Sequence, residues 1–472
     1  MPLFQIKNPF ALIIFGASGD LAKLKLFPAL YALAEQKRLP ENYHIIGFAR
    51  SKKSQKEFQK EFTESIIKNN PEKPNPKILK QLTEKVSYFE GKYDNPDDYK
   101  NLYETIEKLP GKKPLTQLAY FSVPPNIFKP IIQNLGETRS KKTDDLRLII
   151  EKPFGEDTES ARDLFHFVAR YFKEESIYLL DHYLGKTAVQ SLLHLRHSNR
   201  LISTMMKGPE VANIQITAEE KDGVKDRAGY FNQVGTTKDM VQSHLLQILA
   251  LITMSIPISE DAQSLQQEKE SILSALKFVE SKQNVVLGQY ASYQKEKDIP
   301  KNSDTETFTA LRLFINRESW YKTPIYIRTG KKLSKKQTYI VVELKKFAFQ
   351  EKKEEPNRLI FELQPDEKIS IRLINKQGNN SQYQSIESSQ SIACSGDDCL
   401  PEHALLLLDV MRKQRRYFLS FQEIIATWKI TDSIIKFSER QKIKVEKYSD
   451  NGRGPESQNK LTKIDGFSWY EL

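Results

Sequence analysis

The stretch ALIIFGASGDLAK, from Ala11 to Lys23, decides the fold of the first part of this chain. Its apolar run is typical of a strand that is buried on both faces, and helical periodicity follows the GASGD turn. Gly16 and Gly19 allow the backbone to approach a phosphate, and the helix start offers N–H groups with a partial positive charge. The same turn also joins ordinary strands to helices, so it is a weak signal when taken alone.

The alternation of strands and helices continues along the chain. Further buried strands are predicted in YHIIGFAR, TQLAYFSVPP, DLRLIIEKPFG and SIYLLDHYLGK, with polar helical stretches between them. Such alternation favours a parallel, doubly wound sheet. We therefore predict an α/β, Rossmann-like domain over residues 1–200.

The pattern changes after residue 200. Short alternating strands are predicted in TFTALRLFIN, TPIYIRTGKK, TYIVVELKKF, RLIFELQP and KISIRLIN, which indicates a large antiparallel sheet with one face packed on helices. A long helix is predicted over TTKDMVQSHLLQILALITMSI, closing helices over EHALLLLDVMRKQ and SFQEIIATWKITDSIIKF, and a polar loop over NKQGNNSQYQSIESSQS. Residues 201–472 are thus predicted to form an α+β domain.

Composition limits the class of protein. The net charge of +11 comes from lysines that are scattered along the chain, which favours small anionic ligands over nucleic acid. No apolar run is long enough for a membrane helix. Cys394 and Cys399 are too few for a disulfide scaffold or a zinc site, so we expect two free thiols, no metal and a cytoplasmic protein.

Polar residues follow several predicted strands. Arg50 ends the second strand, where an NAD site usually has an acid that binds the ribose, so a phosphate-bearing NADP is favoured. Lys52 and Lys53 are interpreted as a solvated helix start. Lys152, before a proline, is either a site residue or a plain turn residue. DHYLGK, from Asp181 to Lys186, is either a helix cap with a surface lysine or a site for an anionic substrate.

Several motifs together resemble the glucose-6-phosphate dehydrogenase family. They are GASGDLAK, GFARS, EKPFG, DHYLGK, GYF…KD…HLLQ, RTGKKL, TWKI and GRGP, in that family's order and across almost the whole chain. The resemblance implies that a hydride passes from C1 of glucose 6-phosphate to NADP, which gives 6-phosphoglucono-lactone in the first step of the oxidative pentose phosphate pathway. It also implies a homodimer or homotetramer formed through the sheet of the second domain.

The resemblance also implies roles for single residues. His244 would be the general base and Asp181 would orient it, while His182, Tyr183 and Lys186 would bind the substrate phosphate. Further substrate contacts are implied for Glu220, Asp239, Lys331, Lys336 and Lys152. Cofactor contacts are implied for Gly16, Ala17, Ser18, Gly19, Asp20, Leu21, Arg50 and Lys152.

The chain departs from the family pattern at some positions. Leu179 and Thr187 replace the charged residues that flank DHYLGK, Ser243 replaces an asparagine, and Lys238 replaces an arginine. Glu402, His403 and Ala404 stand where the family has Tyr-Glu-Arg. These changes bear on substrate affinity and on any second, structural NADP site. They leave open a catalytically weakened regulator that binds NADP or a sugar phosphate, while net charge alone would suggest a nucleic-acid binder.

Overall fold

The computed structural model describes residues 5–111, 114–139, 145–259, 261–347, 355–376, 383–394 and 399–472. The chain forms two compact units, the first made of Met1–Lys186 and Cys394–Phe421 and the second of Thr187–Ala393 and Gln422–Leu472. The late segment Cys394–Phe421 thus belongs to the first compact unit. The functional division at residue 200 stays a prediction.

The first unit contains the predicted parallel sheet. In the part of the chain that the structure describes, this sheet has six strands in the order β3-β2-β1-β4-β5-β6. They are β1 (Phe10–Phe15), β2 (Tyr43–Ala49), β3 (Val86–Glu90), β4 (Thr116–Phe121), β5 (Leu146–Glu151) and β6 (Ile177–Leu180). All neighbouring pairs are parallel, and β1 lies fully buried between β2 and β4. This is the strand order of doubly wound dinucleotide-binding folds, which confirms the predicted fold class.

Helices follow the strands of this sheet. They are α1 (Phe27–Glu35), α2 (Gln55–Asn69), α3 (Pro76–Thr83), α4 (Pro96–Lys108), α5 (Phe128–Thr138) and α6 (Thr158–Ala169). Ser54 and Asp157 form capping boxes at the starts of α2 and α6. Asn75 and Asn95 cap α3 and α4, each just before a proline in the first turn. Local sequence therefore fixes where these helices begin.

The second unit contains a mixed sheet. Within the described residues it has ten strands, nine of them in the order β15-β14-β13-β12-β7-β11-β10-β9-β16, and β8 pairs with β10. They are β7 (Val211–Glu219), β8 (Leu276–Lys277), β9 (Val285–Tyr290), β10 (Phe308–Ile315), β11 (Ile325–Gly330), β12 (Gln337–Leu344), β13 (Arg358–Gln364), β14 (Lys368–Lys376), β15 (Tyr383–Ser391) and β16 (Val445–Tyr448). The sheet is largely antiparallel, as predicted, but β7 runs parallel to β11 and β16 to β9.

Helices of both units complete the fold. The second unit has α7 (Thr187–Ser198), α8 (Arg200–Met205), α9 (Ala228–Thr236), α10 (Leu246–Thr253) and α11 (Ala262–Ala275). Then α12 (Glu402–Met411) belongs to the first unit, where its apolar face shares a core with α1. The last helices are α13 (Phe421–Arg440) and α14 (Gln458–Lys463). Among the described residues, no helix combines the length and the apolar character that crossing a membrane requires.

The long helix predicted over 236–256 is helical from Thr237 to Thr253, but its first nine residues, Thr237–Leu245, are π-helical and α10 continues directly from them. Gly235, with φ of 70°, separates this helix from α9. Two local predictions are wrong. The predicted polar loop contains β15, whose backbone pairs with β14 although its side chains give no strand signal. Residues 377–382 of that loop lie outside the described residues. Cys394 and Cys399 form a disulfide rather than free thiols, a bond that counting cysteines could not reveal.

Candidate active site

The GASGD turn leaves β1 where the parallel strands end. Gly16 has φ of +83°, and a Cβ atom built on it would lie 2.1 Å from the Ser122 carbonyl oxygen. Glycine is therefore required here by the close approach of the loop after β4, a demand that the sequence does not reveal. Gly19 is less constrained, since a Cβ atom there would lie 3.1 Å from the Gly16 carbonyl oxygen.

The predicted cofactor residues of this turn are contiguous in space. Gly16 to Leu21 connect β1 to a π-helical segment, Ala22–Leu26, which continues into α1. Ala17 is buried, Ser18 is half-buried and Asp20 is exposed. An accessible helix start at the end of the middle strand is where doubly wound folds hold the phosphates of a dinucleotide, so these residues fit such a cofactor.

Arg50 is exposed at the end of β2 and has a partner that sequence reasoning missed. Its guanidinium lies 5.5 Å from the centre of the Tyr93 ring, a cation–π distance. Lys53, predicted to be a solvated lysine, instead places its Nζ 2.6 Å from both carboxylate oxygens of Glu61. Lys52 is exposed, as predicted. Arg50 thus has an exposed guanidinium that is stacked on the Tyr93 ring.

Glu151 ends β5 inside a buried polar cluster. The Tyr120 hydroxyl donates a hydrogen bond to its carboxylate, and His403 Nε2 lies 3.7 Å from the same carboxylate. Burial raises the pKa of Glu151 to about 7 and lowers the pKa of His403 to about 4, so the ring is neutral near pH 7. The contact is therefore not an ion pair at that pH. Lys152 follows directly and precedes Pro153 through a cis peptide bond.

DHYLGK forms a tight turn after β6. Asp181 accepts the Tyr183 N–H through Oδ1 at 2.9 Å, and the Lys186 N–H donates to the Tyr183 carbonyl at 3.1 Å. Lys186 Nζ lies 4.1 Å from the centre of the Tyr183 ring, and the His182 ring packs edge-on against that ring at 5.1 Å. The structure thus brings together the three residues for which a phosphate contact is predicted. Asp181 also stabilises the turn that carries them.

The late helix α12 supports this turn. A Cβ atom at Gly185 would lie 2.7 Å from Leu406 Cδ1, so glycine permits the close approach of the helix. Leu179, one of the departures from the family pattern, is buried in β6 and its carbonyl accepts the Leu419 N–H at 3.0 Å. Thr187, the other flanking departure, is the first residue of α7. Sequence reasoning alone does not associate residues 394–421 with DHYLGK.

In the second unit, Lys331 joins two predicted substrate contacts. Its Nζ donates to the Glu220 carboxylate and lies 3.6 Å from the Asp239 carboxylate. The parallel pairing of β7 and β11 explains the first contact, because Glu219 lies opposite Gly330 and the next residues leave the sheet together. An antiparallel pair would separate these two positions. Lys336 is exposed, and its contact with a substrate stays a prediction.

His244 lies in the π-helical segment Thr237–Leu245 and is 1% exposed. Asp239 precedes it by five residues in the same segment. Hydrogen bonds in a π-helix join residues five apart and bring such positions into line, whereas an α-helix would turn them apart by about 140°. Asp181 belongs to the first unit and His244 to the second, so their predicted partnership stays a proposal.

The remaining departures near His244 are accommodated within the second unit. The Ser243 hydroxyl donates to the Lys238 carbonyl at 3.2 Å, and Lys238 Nζ lies 5.9 Å from the centre of the Trp428 ring. Gln242 donates through Nε2 to the Thr427 hydroxyl at 3.0 Å. These contacts hold the π-helical segment without the residues that the family usually has there.

Comparison with known proteins agrees with this arrangement. Residues 13–191 match the model of the NAD binding domain of glucose-6-phosphate dehydrogenase, and residues 193–470 match that of its C-terminal domain. Glucose-6-phosphate 1-dehydrogenase of Schizosaccharomyces pombe is 33% identical over 98% of this chain and 95% of its own length.

Solved structures are similar over the same length. A glucose-6-phosphate dehydrogenase in complex with its substrate glucose 6-phosphate has a TM-score of 0.91 and 28% identity, over 99% of this chain and all of the other. Glucose-6-phosphate 1-dehydrogenase of Mycobacterium avium has a TM-score of 0.87 and 29% identity, over 98% of this chain and 99% of the other. With strand order, motifs and both domain matches in agreement, the chain belongs to the glucose-6-phosphate dehydrogenase family.

Proposed function

We propose that this protein oxidises glucose 6-phosphate at C1 to 6-phosphoglucono-lactone with NADP as the hydride acceptor, in the first step of the oxidative pentose phosphate pathway. The observation that carries the proposal is the match of both units to domains of glucose-6-phosphate dehydrogenase, with the candidate residues clustered within each unit. The bound cofactor supplies the hydride acceptor. The protein binds, orients and removes a proton.

His244 is the proposed general base. A hydride leaves C1 readily only when the C1 hydroxyl gives up its proton, and a neutral imidazole can take that proton near neutral pH. Asp181 is proposed to accept the other ring N–H of His244 and so fix its orientation. Burial of His244 supports the role, because a buried imidazole keeps one orientation and is shielded from bulk water.

Charge complementarity supports the proposed substrate contacts. Lys186, His182 and Tyr183 offer an ammonium, an imidazole and a phenol within one turn, which suits a phosphate dianion. The carboxylates of Glu220 and Asp239, held by Lys331, suit sugar hydroxyl groups, which donate hydrogen bonds to them. Lys336 is proposed to add a further positive charge, and Lys152 to lie between the sugar and the nicotinamide.

The cofactor is proposed to be NADP rather than NAD. The accessible turn from Gly16 to Leu21 would hold its phosphates, and Arg50 would bind the phosphate on the adenine ribose. An acid at that position would instead repel this phosphate. NAD should therefore be the poorer acceptor.

The test is the formation of NADPH, followed by its absorbance, with purified full-length protein, glucose 6-phosphate and NADP. Turnover is expected with this pair, and lower catalytic efficiency with NAD or with unphosphorylated glucose. Binding of both ligands without turnover would instead support the weakened regulator. A parallel measurement of binding to duplex DNA tests the alternative that the protein is a nucleic-acid binder.

We also propose a cytoplasmic homodimer or homotetramer formed through the sheet of the second unit. Sedimentation of the purified protein tests the oligomeric state, and a monomer at micromolar concentration would contradict it. Cell fractionation tests the location. This experiment is needed because the Cys394–Cys399 disulfide argues against a cytoplasmic location, since disulfides are rare in reducing compartments.

A further inference from the structure

Tyr93 contacts two separate elements of the proposed cofactor site. It lies in the loop after β3, and the face of its ring carries the Arg50 guanidinium at 5.5 Å. Burial raises the pKa of the Tyr93 phenol, and the charge of Arg50 and a hydrogen bond with the Gly16 backbone partly offset that shift. Tyr93 therefore lies between the glycine turn and the arginine that is proposed to select the cofactor.

The position of Tyr93 is fixed by its surroundings. Its carbonyl accepts hydrogen bonds from the Tyr99 hydroxyl at 2.9 Å and from Asn134 Nδ2 at 3.0 Å, and both donors belong to buried residues. Its ring packs 5.8 Å from the Phe48 ring of β2, and the residue as a whole is 8% exposed. The loop is tied to β2 by the Gly91 N–H, which donates to the Ala49 carbonyl at 3.0 Å. The ring is thus a rigid platform.

Arg50 needs such a platform more than a buried arginine would. It is exposed, and a long side chain loses conformational entropy when it is ordered around a ligand. A guanidinium stacked on an aromatic face keeps its N–H groups at the rim, where two of them can donate to one phosphate. Holding it there before the ligand arrives lowers the entropic cost of binding.

We propose that Tyr93 is a positioning residue that sets the preference for NADP over NAD by holding the Arg50 guanidinium for the ribose phosphate. This inference rests on the proposed NADP-dependent activity. NAD lacks that phosphate and so gains nothing from the platform. Tyr93 should therefore affect KM for NADP, without affecting turnover or the use of NAD.

The experiment measures kcat and KM with NADP and NAD for the full-length enzyme and its variants. Tyr93→Leu and Tyr93→Met remove the aromatic face, and Tyr93→Phe keeps it. With the first two, KM for NADP is expected to rise about 3- to 10-fold with kcat within 2-fold, in line with a cation–π contact. KM for NAD should stay within 2-fold, and Tyr93→Phe should resemble the wild type.

A double mutant identifies the route of the effect. If Tyr93 acts through Arg50, Tyr93→Leu adds nothing to the KM of Arg50→Ala for NADP. Additive losses, or equal losses with both cofactors, would overturn the inference. Tyr93→Met serves if Tyr93→Leu folds poorly, because a flexible side chain fills the same space.

The controls separate two kinds of failure. If Arg50→Ala leaves KM for NADP unchanged, the cofactor assignment itself is wrong, and the role of Tyr93 falls with it. If Arg50→Ala raises that KM while neither Tyr93→Leu nor Tyr93→Met does, only the role of Tyr93 is wrong.

Discussion

The two units assemble their candidate residues in different ways. In the first unit, the side chains proposed to bind the substrate phosphate, His182, Tyr183 and Lys186, come from six consecutive residues that follow β6. In the second, Glu220, Asp239 and Lys331 come from three elements and meet because β7 and β11 run parallel and a π-helical segment follows α9. A local motif can thus be read from sequence, whereas a distributed cluster depends on strand pairing. Mutations should therefore act differently in the two regions.

The largest effect is expected at His244. His244→Asn should lower kcat about 10²–10⁴-fold with little change in KM for glucose 6-phosphate, because a general base is lost. The acidic limb of the pH profile should flatten. His166→Asn, at an exposed histidine of α6, is the control and should behave as wild type. If His182→Asn abolished the acidic limb instead, the roles of the two histidines would be exchanged.

The distributed cluster should be the next most sensitive. Lys331→Met should reduce kcat/KM for glucose 6-phosphate about 100-fold, because it removes a charged hydrogen-bond donor and leaves two carboxylates facing each other. Lys335→Met, four residues away and exposed, should change it less than 3-fold. Equal effects of both variants would show that the cluster acts only through net charge.

The local turn should lose affinity rather than turnover. Lys186→Ala should raise KM for glucose 6-phosphate about 10- to 100-fold, the range for a hydrogen bond to a charged group. Activity with saturating unphosphorylated glucose should hardly change. Lys80→Ala, on the exposed side of α3, is the matched control. Similar losses with both sugars would make Lys186 a structural residue.

The glycine turn allows packing to be separated from backbone strain. Gly16→Ala should lower the free energy of unfolding by about 2–4 kcal/mol. Alanine is strained at the positive φ of this position, and its Cβ atom would also clash with the Ser122 carbonyl. Gly466→Ala has a similar φ of +81° but nothing within 4 Å, so about 1 kcal/mol is expected. Chemical denaturation measures both. Equal losses of stability in the two variants would mean that the loop after β4 moves away and relieves the clash.

The smallest effects concern pH and the buried cluster around Glu151. Its raised pKa contributes stability that is present below pH 4.5 and lost as pH rises through about 7. The lowered pKa of His403 contributes stability that is present above pH 6.5 and lost as pH falls through about 4. The two contributions oppose each other, so this pair together should change the free energy of unfolding little between pH 4.5 and 6.5.

Single variants should expose each contribution. Relative to the wild type, the free energy of unfolding of His403→Gln should fall as pH rises from 4.5 to 7, and that of Glu151→Gln should fall as pH decreases from 6.5 to 4. Each change should be on the order of 3 kcal/mol. Denaturant titrations across this range measure it. Slopes of the opposite sign would contradict the assigned pKa directions.

The sequence by itself determined the doubly wound sheet, its first two strands almost to the residue, and the composition of the local motifs. A strand buried on both faces is a continuous apolar run, and turn residues lie beside it in the chain, so burial and position are both recorded locally. For the same reason, DHYLGK could be recognised as one group.

Only the tertiary structure decided the contacts that hydrophobic periodicity does not record. It placed α12 beside Gly185, paired β7 with β11 in parallel, joined Cys394 to Cys399, and put Tyr93 beneath Arg50. Each of these depends on which elements pack together, and periodicity records only which face of an element is buried, not what covers it. The break between α9 and the π-helical segment that carries His244 follows the same rule, because Gly235 leaves the helical conformation where the Glu306 carboxylate lies 2.5 Å from a built Cβ position.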